Sequence, residues 1–154
     1  MRRIVAIALL LALSAHASAD DFTGVTVGIA DGDTITVLAG KKEVRVRLAE
    51  IDAPEKSQAF GQASKQSLSA LCYRKRTSVQ VLEVDRYGRV VGHVLCDGMD
   101  ANRTQLANGM AWVYTTYVRD RSLYRIQDEA RSARRGLWAD QTPVAPWEWR
   151  RADR

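Results

Sequence analysis

The chain has 154 residues and a formal net charge of +5, which suits one domain with a modest core. This basic excess permits an anionic partner but is smaller than that of proteins that coat DNA. Two isolated cysteines and His93, the one histidine after residue 19, cannot supply the four ligands of a usual zinc site. A binding surface for an anion must therefore be sought in local motifs.

The N-terminus has the pattern of a secretory signal peptide over residues 1–19. Two arginines precede an apolar run at 4–13, and 17–19 form an Ala-Ser-Ala cleavage site. The apolar run is shorter than the about 20 residues of a membrane-spanning helix, which makes a membrane anchor the weaker alternative. We expect cleavage after Ala19 and a periplasmic or secreted single domain over 20–154, without stable membrane association. Loss of the two arginines leaves 21 basic and 18 acidic residues, a net charge of +3.

Short strands separated by turn residues dominate the first part of the mature chain. Alternating apolar residues predict strands at 22–30, 34–38 and 44–48. The same alternation returns at 79–84 and 90–95. The mature chain therefore begins as an antiparallel meander and has five strands in all.

Apolar residues at helical spacing predict about three helices. The first covers 60–74 and the last covers 123–135, while a short one ends near Leu106 after an N-cap at Asp100 or Asn102. The proline- and tryptophan-rich tail is expected to pack over the body. These elements favour an α+β fold, a five-stranded Greek-key β-barrel of the OB type. Such barrels occur in binding proteins and in enzymes, so the fold alone does not give the function.

The two cysteines, Cys72 and Cys96, are expected to form a disulfide, because an exported chain can keep them oxidised. The bridge would close a loop of about 25 residues and stabilise the fold by about 3.5 kcal/mol. Two buried free thiols are the alternative.

Carboxylates and arginines gather in three turn-rich segments, 31–34, 47–55 and 85–89. Each residue alone has a simpler explanation, since aspartates cap turns and arginines lie on solvated faces. Together they suit a metal-assisted attack on a phosphodiester. Carboxylates hold a hard cation and activate water, and arginines neutralise the charge that grows on phosphorus.

The order of the strands places two of these carboxylates, Asp33 and Asp52, at one end of the barrel. Calcium takes about six to eight oxygen ligands in loose geometry. The two aspartates, a backbone carbonyl near Ala53, waters and a substrate phosphate would satisfy it. Glu55 would lie near the metal without binding it.

Two arginines, Arg47 and Arg89, offer planar forks of donors that match phosphate oxygens. Histidine- and serine-based hydrolysis are disfavoured because His93 is the only histidine of the mature chain and lies within a predicted strand. We expect a structural role for His93.

The chain resembles the staphylococcal nuclease-like (thermonuclease) family from about Thr23 to Trp138. The motifs that carry the resemblance are Asp-Gly-Asp-Thr at 31–34, Arg-Leu-x-x-Ile-Asp-x-Pro-Glu at 47–55, Asp-Arg-Tyr-Gly-Arg at 85–89, Asn102 with Asn108-Gly-Met-Ala111, and Ala133-x-x-Gly136-Leu-Trp138. The resemblance implies an OB-fold barrel and a calcium-dependent phosphodiesterase that acts on DNA and RNA and leaves 3′-phosphate ends.

The resemblance also implies a metal site and a base. Asp33 and Asp52 match the metal carboxylates, and Ala53 matches a position where a main-chain oxygen completes the site. Threonine is usual there, but a main-chain ligand tolerates alanine. Glu55 matches the residue assigned as general base toward the attacking water, for which an orienting role is the alternative.

The remaining implied roles concern the phosphate. Arg47 and Arg89 match the arginines that stabilise the transition state, and Tyr87 matches a tyrosine near the terminal phosphate. The second tyrosine position is ambiguous; Tyr117 is preferred over Tyr114 and Thr115. The segment after Glu55 lacks the lysine-rich loop of the best-studied members, so substrate contacts there differ.

We therefore expect a calcium-dependent nuclease that degrades DNA and RNA as a monomer. One alternative is an inactive nucleic-acid-binding OB-fold module, which the presence of every matched catalytic side chain disfavours. Another is a phosphodiesterase for small nucleotides. Three aromatic residues on which bases can stack favour a nucleic-acid polymer as the substrate: Tyr87, Trp112 and Tyr117. Of these, Trp112 is expected in the core.

Overall fold

The computed structural model of the chain describes residues 20–153, so the predicted signal peptide lies outside the described residues. Across residues 20–153 the structure has no helix with the length and apolar character needed to cross a membrane. The strands are β1 (Phe22–Ile29), β2 (Thr34–Ala39), β3 (Lys42–Leu48), β4 (Ile51–Asp52), β5 (Arg76–Val84), β6 (Val90–Cys96), β7 (Met99–Asp100) and β8 (Trp112–Val113).

Five of these strands close into a barrel. β1 pairs antiparallel with β2 and β5, β2 pairs with β3, and β5 pairs with β6. A parallel pairing of β3 with β6 closes the circle, with Val46 opposite Val90 and Leu48 opposite Gly92. The predicted α+β fold with a five-stranded OB-type barrel is therefore confirmed.

The barrel core follows from the alternation in the sequence. Every second side chain of a strand points inward, and Ile35, Val37, Val46 and Leu48 are fully buried. Complete burial of such side chains stabilises the fold by about 1.5–3 kcal/mol each relative to exposure. The polar partners on the outer face include Arg45, which is exposed.

The helices are α1 (Gly61–Cys72), α2 (Ala101–Ala107), α3 (Ser122–Ser132) and α4 (Pro146–Ala152), with a 3₁₀ helix at Gly136–Ala139. The count of about three was thus one too low for the described residues. Helix α4 escaped prediction because its seven residues are too few for a periodic signal and it lacks the N-cap side chain that marks the equally short α2. Its start is set by Pro146, which fits the first helical turn. Trp147 contacts Trp112 and Tyr114, which agrees with a tail that packs over the body.

The two candidate caps of α2 have different roles. Asp100 is the N-cap, because its side chain accepts a hydrogen bond from the backbone N–H of Arg103. Asn102 is buried instead, and its amide joins strand β6 to the residues after β3. Its oxygen accepts from the N–H of Val94 at 3.0 Å and its nitrogen donates to the carbonyl of Ala49 at 2.9 Å.

Cys72 and Cys96 form a disulfide with an S–S distance of 2.05 Å. The bond joins the end of α1 to the end of β6. Both residues are buried in the main core, so the bridge ties the first helix directly to the barrel.

Candidate active site

An open cleft of about 960 Å³ lies at one end of the barrel and is lined by all eight predicted metal, catalytic and substrate-binding residues. The charged residues that line it include Asp33, Arg47, Asp52, Glu55, Arg89 and Arg150. Five of these six were singled out in the sequence.

Asp33 is fixed by the hairpin that joins β2 to β3. Thr34 pairs with Arg47 in this hairpin, so the preceding residue, Asp33, stands next to the end of β3. Its carboxylate accepts hydrogen bonds from the hydroxyl of Thr34 at 2.8 Å and from the N–H of Ala53 at 2.9 Å. The second bond brings the segment that contains Asp52 and Ala53 against Asp33.

The turn before Asp33 packs against two helices, α1 and α2. The side-chain nitrogen of Gln105 on α2 donates to the carbonyl of Gly32 at 2.7 Å. A β-carbon on Gly32 would lie 1.8 Å from Oγ of Ser64 on α1. The glycine is therefore required by close packing, and Gln105 and Ser64 are supporting residues that the sequence analysis missed.

Arg47 lies between the two aspartates. Its Nη2 donates to Oδ1 of Asp52 at 3.0 Å and lies 3.6 Å from Oδ2 of Asp33. Its guanidinium carbon is 5.4 Å from the ring centre of Tyr114, a cation–π distance. The side chain is only 14% exposed, so this arginine was correctly distinguished from Arg45 on the solvated face.

Burial and charge act on the acidic groups of the cleft. Burial raises the pKa of Asp52, and the negative charge of Asp33 adds to this, while a hydrogen bond from Arg150 opposes it. Burial also raises the pKa of Asp31 to about 6, again with a contribution from the charge of Asp33. Close carboxylates of this kind are stabilised in their charged form by a cation.

Arg89 is presented by a turn that Asp85 organises. The Asp85 carboxylate accepts from the backbone N–H groups of Tyr87 at 2.9 Å and of Arg89 at 3.0 Å, and from Nε of Arg89 at 2.8 Å. The guanidinium of Arg89 therefore pairs with Asp85, whereas that of Arg47 contacts Asp33 and Asp52. Tyr87 at the tip is 68% exposed, with its ring 5.5 Å from the Arg89 guanidinium.

Glu55 is partly exposed and is held by a residue that the sequence analysis missed. Nη1 of Arg150 donates to Oε1 of Glu55 at 2.7 Å, and Nη2 donates to Oδ2 of Asp52 at 2.7 Å. Arg150 lies on α4, 98 residues after Asp52. The only available signal was the Pro- and Trp-rich tail that contains it.

The tyrosines form a wall of the cleft. Tyr114 meets Tyr117 edge-on at 4.8 Å and stacks parallel to Trp147 at 5.6 Å. Tyr117 is 57% exposed. Both tyrosines line the cleft, so their positions do not decide which of them contacts the substrate. Trp112 packs on Trp138 with ring centres 4.4 Å apart, which agrees with a position in a core cluster.

A buried carboxylate supports the loop that carries these tyrosines. Oε1 of Glu50 accepts the backbone N–H groups of Arg119 and Asp120, and Oε2 lies 3.4 Å from Nε2 of His93. Glu50 is 4% exposed and has a positive φ of 65°. His93 contacts this carboxylate, and its structural role stays a prediction. Glu50 is a further residue that the sequence analysis missed.

The donor set fits a hard cation. No group of three or more His, Cys, Asp and Glu side chains between residues 20 and 153 is arranged to hold a metal by itself. However, the Arg47 nitrogen lies within 3.6 Å of carboxylate oxygens from both Asp33 and Asp52, so one positive charge already reaches both. Calcium accepts waters and phosphate oxygens as its remaining ligands. Asp33, Asp52 and the main-chain oxygen of Ala53 are the residues that would hold it.

Comparison with known proteins decides the family. The family model described as "Staphylococcal nuclease homologue" matches residues 45–140. This chain belongs to the staphylococcal nuclease family. Among its relatives, "Micrococcal nuclease" of Shigella flexneri is 45% identical over 163 residues, which cover 99% of this chain and 93% of the relative.

Two further relatives of this staphylococcal nuclease homologue differ in length. An "Uncharacterized endonuclease" of Escherichia coli is 46% identical over 131 residues, covering 84% of this chain and 86% of the relative. "Probable staphylococcal-like nuclease CAN1" of Oryza sativa subsp. japonica is 42% identical over 113 residues, which cover 73% of this chain and 34% of the relative. The family model includes Arg47, Asp52, Glu55 and Arg89 but ends before Arg150.

Proposed function

We propose that this protein is a calcium-dependent nuclease that hydrolyses phosphodiester bonds of DNA and RNA and leaves 3′-phosphate ends. Membership of the staphylococcal nuclease family and about 45% identity to proteins named micrococcal nuclease and endonuclease support the nuclease activity. The signal-peptide pattern of residues 1–19 supports a periplasmic or secreted location. We propose that it acts as a monomer.

The observation that carries the proposal is the position of Arg47 between Asp33 and Asp52, with Glu55 beside the same carboxylates. Near the end of β3, Arg47 is thus within 3.6 Å of two candidate metal ligands, Asp33 and Asp52. Glu55 belongs to the same group of charges, because Arg150 contacts both Glu55 and Asp52. Metal-assisted hydrolysis requires metal ligands, a base, and a hydrogen-bond donor to the phosphate oxygens.

In the proposed mechanism each side chain has one task. When bound, calcium supplies a positive charge that polarises the phosphate and positions a water molecule. The Glu55 carboxylate accepts a proton from the attacking water as the new P–O bond forms. Arg47 and Arg89 donate hydrogen bonds to the phosphate oxygens as charge builds on them. The bond from phosphorus to the 5′ oxygen breaks and that oxygen takes a proton from solvent, so the phosphate stays on the 3′ side.

The aromatic wall supports a polymer as the substrate. Tyr87 and Tyr117 are the more exposed rings and flank the carboxylates on separate loops of the cleft. Nucleobases stack on such rings without a strong sequence preference. A binding module without catalysis is disfavoured because Arg47, Glu55 and Arg89 are all present.

The experiment that tests the proposal is digestion of DNA and of RNA by the mature protein, residues 20–154. Parallel reactions contain calcium, calcium with excess chelator, or magnesium. We expect cleavage of both polymers with calcium alone and products with 3′-phosphate ends, detected by their failure to be extended until a phosphatase is added. Binding without cleavage at every calcium concentration would identify a binding module instead.

A further inference from the structure

The C-terminal helix α4 places a positive charge on the carboxylates of the candidate metal site. Nη2 of Arg150 donates to Oδ2 of Asp52 at 2.7 Å, and Nη1 lies 3.3 Å from Oδ1 of the same residue. Nη1 also donates to Oε1 of Glu55 at 2.7 Å. A single guanidinium therefore engages both oxygens of a metal ligand and one oxygen of the candidate base.

The contact matters most for Asp52, because this carboxylate is buried whereas Glu55 is partly exposed. The Asp52 side chain is 2% exposed, while Arg150 is 36% exposed. A buried carboxylate that cannot contact water depends on its hydrogen-bond donors and cations. Arg47 contributes only one bond, to Oδ1 of Asp52, so Oδ2 depends on Arg150 within the described part of the chain.

The two arginines of this site differ in how firmly the fold holds them. Arg47 is part of β3, is 14% exposed and contacts the ring of Tyr114. Arg150 lies in the last turn of a seven-residue helix near the end of the chain. That helix is anchored at its other end, where Pro146 is buried and Trp147 stacks on Tyr114. The contacts that anchor the start of α4 therefore do not include the Arg150 side chain.

We propose that Arg150 is an internal cation that competes with the metal for Asp52 and that leaves Glu55 when the metal binds. This inference rests on the calcium site proposed above. An Asp52 oxygen that coordinates a divalent cation cannot also accept a short hydrogen bond from a guanidinium in the same position. The positive charges of the metal and of Arg150 also repel each other. Metal binding therefore requires the Arg150 side chain to withdraw, which frees Glu55 for its role as a base.

Because Arg150 lies on α4, the C-terminal helix and not a barrel strand supplies the competing charge. In the absence of metal, Arg150 neutralises the acidic cluster and keeps it compact. The consequence is a weaker apparent affinity for calcium than the barrel alone would have. Withdrawal of the Arg150 side chain would therefore change the charge around the base, Glu55, and around the metal ligand, Asp52, at the same time.

Calorimetric titration of calcium into three full-length mature proteins tests the proposal: the wild type, Arg150→Gln and Arg151→Gln. Arg151 is the matched control, because it is the next residue on α4 and is exposed. We expect Arg150→Gln to bind calcium about tenfold more tightly, since it removes a charge-assisted competitor. Arg151→Gln should bind as the wild type does. In the wild type, calcium should also shift the side-chain NMR signal of Arg150, which is assigned by its absence from Arg150→Gln.

The outcomes separate this inference from the calcium proposal. Equal or weaker binding by Arg150→Gln, or equal tightening by Arg151→Gln, would overturn the competition while leaving the calcium site intact. An unchanged Arg150 signal on saturation with calcium would do the same. Failure of all three proteins to bind calcium would overturn both proposals.

Discussion

Nη2 of Arg47 donates a 3.0 Å hydrogen bond to Oδ1 of Asp52 and lies 3.6 Å from Oδ2 of Asp33. A candidate transition-state donor is thus already in contact with the candidate metal ligands. The hairpin between β2 and β3 produces this arrangement, because Thr34 pairs with Arg47 and so sets Asp33 beside it. A phosphate bound to a metal at the aspartates would meet Arg47 without a rearrangement of the barrel.

The first prediction concerns this arginine. Arg47→Ala should lower the turnover number for DNA cleavage by about 10²–10³-fold, the usual effect of losing one donor to a developing oxyanion. Arg45→Ala is the control, because Arg45 lies two residues earlier on β3 and is exposed. Steady-state kinetics on both variants, with circular dichroism to verify folding, tests this. A wild-type rate in a folded Arg47→Ala protein would remove Arg47 from the mechanism.

The second prediction concerns the pH dependence of stability at the Asp85 turn. Burial opposes ionisation of Asp85, but hydrogen bonds from the backbone and side chain of Arg89 and from the N–H of Tyr87 outweigh it and lower the pKa. Because the folded-state pKa is below the ordinary value of 3.8, ionised Asp85 stabilises the fold above that pH. The contribution disappears as the pH falls through the lowered pKa.

Asp85→Asn should therefore melt at a lower temperature than the wild type at neutral pH. The difference should shrink as the pH falls below 3.8 and through the lowered pKa of Asp85, because protonated Asp85 is uncharged like asparagine. Asp97→Asn serves as a control, since Asp97 is an exposed turn residue away from the cleft. Melting curves across this pH range test the prediction, and a constant difference at every pH would contradict it.

The third prediction concerns the packing of the turn before Asp33. Gly32→Ala places a β-carbon against Oγ of Ser64 and against Ala53, so the turn must shift. We expect a loss of about 1–3 kcal/mol in the free energy of unfolding and a weaker metal site. Gly28→Ala is the control, because its β-carbon would be 3.4 Å from Thr36, an ordinary contact. Urea unfolding of both variants measures the difference, and equal stabilities would show that the turn accommodates the added β-carbon.

The fourth prediction concerns the disulfide. Replacing Cys72 and Cys96 together by alanine should lower the free energy of unfolding by about 3.5 kcal/mol, which is the chain-entropy contribution of a loop of about 25 residues. Both residues are buried, so lost packing adds to this. Urea unfolding of the double variant beside the oxidised wild type measures the loss. Unchanged stability would mean that the bond contributes little to the fold.

Much of the fold could be predicted from the sequence because alternation and helical spacing are local signals. The hairpin that joins Asp33 to Arg47 was visible in this way, since neighbouring strands with a short turn pair with each other. The two-residue strands β4 and β8 were not visible, because a pair of residues has no period.

The candidate site was predictable where its residues belong to compact motifs. Arg150 was missed because it reaches Asp52 across 98 residues and its own segment shows no pattern of charge. Glu50 was missed for a related reason. Its partners, the backbone N–H groups of Arg119 and Asp120, lie about 70 residues further along the chain, and no local pattern marks it as buried.

The central claim is that the Asp33–Asp52–Glu55 cluster performs calcium-dependent hydrolysis, and one comparison tests it most directly. DNA cleavage is measured for the wild type and Glu55→Gln, each with calcium and with calcium chelated, and DNA binding is measured in the same samples. We predict rapid cleavage only by the wild type with calcium, and near-normal DNA binding by the folded Glu55→Gln protein. Cleavage that persists in the chelated sample, or a wild-type rate in Glu55→Gln, would contradict the account.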